Sequence, residues 1–321
     1  MKKIVALTLV LCMLGAMLVG CGGNDGKTLK IGIIQYMSHP SLDNCYNGVV
    51  AALQESGLDY TIDRQIGSSN AADADCVSFA KNMVAAGYDM IIAIATPAAK
   101  AAFAATDDTD IPVIFCAVSD PVSAGLVKDM NNPGYNCTGT SDVLDLAAQV
   151  NMIRTFQPDV QKIGILYTSS EENSLTNLAN FKAVCQPLGI EVVSSAVQNA
   201  SDIPAAAEAL ASKVDCINNF TDNNVVNNLP TLINAANKYN IPVYGSEEEQ
   251  LKKGCLASVS IDYVALGKVT GNMAVDVLKG ASAETMAVKT ITDASLVYNP
   301  DVLASLQMTL PDAYQGATTV K

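Results

Sequence analysis

What most limits the fold of this chain is a repeated order of apolar run, turn and amphipathic helix. The run "DMIIAIA" (89–95) is almost wholly apolar. Such a run suits a strand covered on both faces, as in the middle of a parallel sheet. Around it the first half reads as a strand at 29–36 ("LKIGIIQY"), a helix at 40–57, a strand at 60–65 and a helix at 70–87. A short helix at 97–106, with Pro97 at its first position, and a strand at 112–118 follow. The pattern then restarts, with strands at 162–168, 190–197, 214–220 and 241–245 and helices at 174–189, 202–213 and 223–240. Alternation of this kind predicts right-handed β-α-β units and parallel sheets. A weak internal echo joins the halves: "GYDMIIAIATPA" (87–98) lies over "KVDCINNFTDNN" (213–224), and "DIPVIF" (110–115) over "NIPVYG" (240–245). The fold class expected is α/β, with two doubly wound parallel-sheet lobes.

The first 28 residues stand outside this rhythm. Lys2 and Lys3 precede an apolar stretch, Ile4 to Val19, that is too short for a membrane span of about 20 residues and reads as an export signal. It ends "LVGC", which resembles the lipobox of bacterial lipoproteins. The resemblance implies that 1–20 is a signal peptide, that Cys21 carries lipid, and that 21–28 is a flexible tether. Acylation of this kind anchors a soluble domain to a membrane. The remainder, roughly 300 residues, is more than one hydrophobic core usually organises, so two lobes are expected.

Charge and composition exclude several functions. The chain has 19 basic and 32 acidic residues, a net charge of −13, which argues against nucleic acid as a partner. Seven cysteines remain beyond position 21, scattered and with no C-x-x-C pair, which disfavours a zinc site. We read most of them as core thiols. Only two arginines exist, Arg64 and Arg154, so an arginine fork for phosphate or a dicarboxylate is poorly supplied. There is no Trp to stack on a sugar. One histidine, His39, leaves few base–nucleophile combinations, and no G-x-S-x-G, H-E-x-x-H or phosphate-loop motif occurs. An enzyme built on Asp and Glu pairs is the competing reading, and a hydrolase its form.

In open parallel sheets, ligands bind beyond the carboxyl ends of the strands. The loops there are "QYMSHPSLD", "ATPAA", "AVSDPVSAG", "YTSSEENS", "FTDNN" and "SVSIDY", polar against apolar strands. In this order, after a lipobox and together with "CTGTSD" and "SIDYVALGK", they resemble the substrate-binding lipoproteins of ABC transporters, of the branch associated with tryptophan and other aromatic amino acids. The chain departs from that branch at "TSSEEN", where an Asn-Pro-rich turn is usual.

The resemblance implies a type I periplasmic-binding fold with a three-crossing hinge. Crossings are expected near Ser141 and Asp142, near Ile261 and Asp262, and near Ile291 to Val297, dividing the chain into 29–141 plus 262–290 and 142–261 plus 291–321. It also implies a small amino acid-like ligand, an aromatic L-amino acid favoured, with tryptophan ahead of tyrosine. A permease and its ATPase would be the partners, a monomer the working state, and no metal or organic cofactor is called for. A receptor-docking sensor, or a binder of branched-chain amino acids, nucleosides or sugars, remains the alternative.

Within such a cleft a ligand carboxylate suits a helix start, where Thr96 and Ser174 stand. A ligand ammonium suits Asp222, with Asn173 and Asn223 adding hydrogen bonds. Gln35, Tyr36, Ser119, Thr140, Tyr167 and Asp262 complete the candidate set, and Tyr263 is a further aromatic neighbour. Thr96, Ser174 and Asp222 read equally as helix N-caps, and His39 equally as a residue pointing into the cleft or as one at the start of a helix before Pro40.

Overall fold

The computed structural model describes residues 28–291 and 294–320, so the leader and Cys21 lie outside the described residues. Two sheet systems face each other. The first is six-stranded: β1 (Leu29–Gln35), β2 (Tyr60–Ile66), β3 (Met90–Ile94), β4 (Val113–Cys116), β5 (Cys137–Ser141) and β11 (Lys289–Thr290) run in the order β11-β5-β4-β3-β1-β2, all parallel. The second has β6 (Lys162–Thr168), β7 (Glu191–Val197), β8 (Cys216–Asn218) and β9 (Val243–Tyr244) in the order β7-β6-β8-β9, again parallel. In both, the strand order reverses beside the first strand, between β1 and β3 and between β6 and β8. That reversal is the switch point of a doubly wound sheet. A three-stranded sheet of β10 (Ala257–Ser260), β12 (Ser295–Tyr298) and β13 (Thr318–Thr319) extends the second lobe.

Helices cover both faces. In the first lobe α1 (Pro40–Glu55) lies on one face, and α2 (Ala72–Ala85) and α3 (Thr96–Ala105) on the other. In the second, α4 (Leu146–Phe156) and α5 (Glu172–Cys185) oppose α6 (Ile203–Ala211) and α8 (Leu229–Lys238), each pair over its own apolar cluster. The long α10 (Tyr263–Leu278) returns to the first lobe and packs along α1. The seam is built from small residues: a Cβ on Gly48 would collide with Val264 O, and one on Gly267 with Cys45 O. The chain therefore passes between lobes three times, after β5, after β10 and after β11.

Several expectations shift in detail. The helix expected over 223–240 is broken into α7 (Asn223–Asn227) and α8, because Pro230 enters in the first turn of α8 and cannot donate back to α7. The helix expected to reach Gly189 ends at Cys185, and Pro187 forces a 3₁₀ turn over Gln186–Leu188. The buried strand β5, "CTGTS", was not anticipated, and a helix was expected around Arg154 without the bounds of α4. All seven cysteines among the described residues are buried and free, as core thiols.

Candidate ligand-binding site between the lobes

The carboxyl ends of the two parallel sheets converge on one cavity. From the first lobe come His39 and Leu42 after β1, Ala95 and Thr96 after β3, and Ala117 and Ser119 after β4. From the second come Asn173 after β6, Thr221 and Asn223 after β8, and Glu247 after β9. Asp142, on the first crossing, and Tyr263, at the start of α10, line it beside the hinge. The lobes are shut on each other. His39 Nε2 lies 3.2 Å from Asn223 Oδ1, Asn44 Nδ2 donates to Glu249 Oε1 (3.3 Å), Asn227 Nδ2 to Ser69 Oγ (3.4 Å), and Lys100 Nζ pairs with Glu172 Oε2 at 3.5 Å.

The backbone is strained where it meets the cavity. Ala95 has φ 81 and ψ 154, and Ala117 has φ 57. An L-residue pays sterically for such angles, the first being a region used almost only by glycine, and such strain gathers at functional sites. It turns the chain sharply at the ends of β3 and β4, delivering Thr96 and Ser119 into the cleft.

Four lining residues carry a buried polar atom with no hydrogen-bond partner in the protein: His39 Nδ1, Thr96 Oγ1, Asn173 Oδ1 and Thr221 Oγ1. An unsatisfied buried polar atom costs about 1–3 kcal/mol. Four around one cavity mark a surface made to be completed by something polar. Thr96 begins α3, whose cap position, Ala95, offers no side-chain bond, so the Thr96 hydroxyl is not used as a cap.

Carboxylates supply the charge. Asp142 is 4% exposed; its Oδ1 accepts from Ser119 Oγ and its Oδ2 from Tyr263 OH, both at 3.0 Å. Burial pushes its pKa up despite these two donors. Glu247 is 1% exposed, accepts from Gln250 Nε2 (3.2 Å), and burial raises its pKa to about 7. Among the described residues neither forms an ion pair with Lys or Arg. Two buried carboxylates without a cation invite one from a ligand.

Of the residues singled out in the sequence, His39, Thr96, Ser119, Asn173, Asn223 and Tyr263 meet at this cavity. The others do not line it. Asp222 is fully buried in the second lobe, where it caps α7: it accepts from Thr168 N (2.6 Å), Thr168 Oγ1 (2.8 Å), Ser174 Oγ (2.7 Å) and Val225 N (2.9 Å). Its lone pairs are spent on its own lobe, and the Ser174 hydroxyl is spent on it, so neither is free for ligand. Gln35 is likewise engaged by Met37 O, Asp43 and Arg64, and Thr140 by Thr270 across the α10 contact (2.7 Å). Asp262 caps α10, and Tyr167 packs against the second-lobe core. Tyr36 faces a separate, more open part of the cleft with Asp73 and Asn224.

The residues that sequence reasoning passed over are Asp142, Glu247 and Thr221. Of these Asp142 left a signal. In "SDVLDL" it is Asp145, three residues on, that caps the following helix by accepting from Ala148 N, which leaves Asp142 without a local task.

A cavity that exists only while two lobes are shut belongs to a receptor that captures a solute by closing, and this is the class that the fold defines. Within it, the chain belongs to the ABC transporter substrate binding protein family, whose profile matches residues 30–320. It is 36% identical to a tyrosine-binding protein of Clostridioides difficile over 96% of this chain and 93% of that one. Among solved structures, a Streptococcus pneumoniae ABC domain in complex with L-Trp has 37% identity and a TM-score of 0.88, covering 92% of this chain and 100% of that one. A ligand-free, open substrate-binding protein with adhesive properties from Clostridium difficile has 36% identity but a TM-score of only 0.69, covering 92% of this chain and 99% of that one. Identity and coverage are nearly equal in these two cases, so the drop follows the arrangement of the lobes, in keeping with the cross-cleft bonds here. A leucine-binding protein from Thermotoga maritima, 12% identical with a TM-score of 0.63 over 84% of this chain and 94% of that one, shares the type I periplasmic-binding fold. Members of this family work outside the cytoplasm and deliver small molecules to a membrane permease. Among the described residues no helix is long and apolar enough to cross a membrane.

Proposed function

We propose that this chain is the receptor of an importer for an aromatic L-amino acid, tyrosine or tryptophan, held whole between the lobes. The observation that carries the reading is the pair of buried carboxylates, Asp142 and Glu247, with no cation partner, facing an unpartnered hydroxyl at the start of α3 across one cavity. An α-amino acid has the matching ends. Its ammonium sits between Asp142 and Glu247, and its carboxylate at Thr96, where the α3 N-terminus favours negative charge. Leu42, Ala95, Ala117 and the ring of Tyr263 offer an apolar wall for the side chain. The relatives named for tyrosine and solved with L-Trp, at 36% and 37% identity, support the aromatic choice.

The reading assigns no chemistry to the cavity. It keeps the lipid on Cys21 as the membrane anchor, on the strength of "LVGC" after a short apolar run, and a monomer as the form that meets the permease and its ATPase. Unfolding and refolding the protein to strip retained ligand, then titrating amino acids, nucleosides and sugars by calorimetry, tests it. Tyrosine or tryptophan should bind at about −8 kcal/mol or better, micromolar or tighter. Binding of leucine, a nucleoside or a sugar, with none of any aromatic amino acid, would overturn the ligand while leaving the receptor.

A further inference from the structure

His39 is the one histidine of the chain, is 6% exposed, and lines the cavity. It stands at the start of α1 but its side chain makes no capping bond there. Its Nε2 instead meets Asn223 Oδ1 across the cleft, while its Nδ1 is buried with no partner.

The protonation of the ring follows from the neighbours. Asn223 Nδ2 donates to Glu171 Oε2 at 2.7 Å, and Asn223 N donates to the same oxygen at 3.0 Å. Asn224 N donates to Glu171 Oε1 at 3.0 Å. Burial and the Asp222 carboxylate raise the pKa of Glu171 to about 8, and a proton on it belongs on Oε1, because Oε2 already accepts from Asn223 N and from Asn173 Nδ2 (3.3 Å). Turning the Asn223 amide over would set its oxygen 2.7 Å from that accepting Oε2, so Oδ1 faces His39. A carbonyl oxygen only accepts; His39 Nε2 therefore carries the proton. Nδ1 of the neutral ring is then a bare acceptor.

We infer that His39 Nδ1 accepts a hydrogen bond from the bound ligand, ending a chain Glu171–Asn223–His39–ligand that joins the lobes through it. This deepens the aromatic amino-acid reading and rests on it: the donor is the ligand ammonium or the N–H or O–H of its side chain. A protonated His39 has no acceptor to offer, so binding needs the neutral ring. Burial favours that form, and the pKa of His39 in the closed lobes falls to about 4. The charges around it are Asp43 on its own helix, Lys253 after α9 (Glu248–Lys252), Glu171 through Asn223, and Asp142 and Glu247 in the same cavity. An open, hydrated ring has an ordinary pKa near 6.5. Closure must therefore expel a proton below that pH, weakening binding up to about tenfold per unit, or roughly thirtyfold from about pH 7.5 to 5.0.

The test uses L-tyrosine, L-tryptophan and L-phenylalanine by calorimetry at pH 7.5 and 5.0, on wild type, His39→Gln and His39→Leu. Gln keeps one donor and one acceptor and never titrates. His39→Gln should bind tyrosine or tryptophan within about tenfold of wild type at pH 7.5, and its fall to pH 5.0 should lack the histidine component, leaving only that of the carboxylates. His39→Leu should bind at least tenfold more weakly at pH 7.5. An equal loss for phenylalanine identifies the ammonium as donor; a loss confined to tyrosine and tryptophan identifies the side chain.

Wild-type affinity in His39→Leu, or a pH profile in His39→Gln equal to that of wild type, overturns the inference and leaves the ligand reading intact. If wild type binds none of the three, the ligand reading itself falls. Nitrogen NMR of the sole histidine is an independent check. Ligand-bound protein should show a proton on Nε2 and no titration near 6.5, and a proton on Nδ1 would refute the chain.

Discussion

Asp142→Asn should separate two quantities that usually fall together. The carboxylate is 4% exposed, is fixed by Ser119 and Tyr263, and has no cation partner among the described residues. Removing one member of a buried, hydrogen-bonded charge pair costs about 2–5 kcal/mol of binding. Glu247 stays in the cavity to face the same ammonium, so the loss belongs at the low end, about 2–3 kcal/mol, or 30- to 150-fold in Kd. The fold should respond with the opposite sign. Burial raises the pKa of Asp142, so its ionised form costs stability in the closed lobes, fully above the folded pKa and progressively less as pH falls toward the unfolded one. A neutral Asn of the same shape removes that cost while still offering an oxygen to one hydroxyl. Calorimetric titration with L-tyrosine at pH 7.5, beside thermal unfolding without ligand, reads both. We expect weaker binding with a melting temperature equal to or above that of wild type. Binding within threefold of wild type, or a binding loss that merely tracks a collapsed melting temperature, would refute the counter-charge role.

Other residues give different signs. Glu247, raised by burial to about 7 in the closed lobes against an ordinary 4.5, should make ligand-free closure less favourable as pH climbs from 4.5 to 7, by about 3 kcal/mol; Glu247→Gln should flatten that slope, and parallel pH profiles of lobe closure in small-angle scattering would count against a desolvated Glu247. Asp222→Ala should strand the buried N–H groups of Thr168 and Val225, lowering stability by about 2–6 kcal/mol at roughly 1–3 per group; an unshifted denaturation midpoint would show the cap to be dispensable. Cys21→Ser should leave the protein unprocessed or released from membranes, and a mature-sized, lipid-labelled membrane species would sink the anchor.

The fold was readable because its signal is carried by burial. Strands such as "MIIAI" are covered on both faces and so nearly all apolar. β5 escaped because its buried residues are Cys, Thr, Gly and Ser, which pack against Phe115 and Thr270 through small size and a hydroxyl pair rather than through bulk. α4 did carry a signal, with Leu146, Val150, Ile153 and Phe156 on one buried face behind the Asp145 cap. In the site, strand-end position alone located Thr96, Ser119, Asn173 and Asn223. It could not separate Asp222 from Asp142, since both are strand-end aspartates. The difference lies in local bonding: Asp222 reaches Val225 N three residues ahead and so is used as a cap. Glu247 is buried only because the two lobes meet, and lobe apposition leaves no local mark in sequence.

That dependence on apposition explains why a receptor of this kind need not close without its solute. In the open form Asp142, Glu247 and His39 are hydrated and ordinary. Closing strips water from two carboxylates and an imidazole at once, and the raised pKa of Asp142 and Glu247 and the lowered one of His39 all report that cost. The cross-cleft bonds offered in return are few and partly exposed: an exposed pair such as Lys100–Glu172 contributes about 0–1 kcal/mol. A ligand ammonium between the carboxylates, with a donor for Nδ1, offsets the desolvation of all three groups and is available only in the closed form. Differential affinity of that size shifts the population toward closure. A neutral solute of the same shape would leave the carboxylates uncompensated, and the lobes would stay apart.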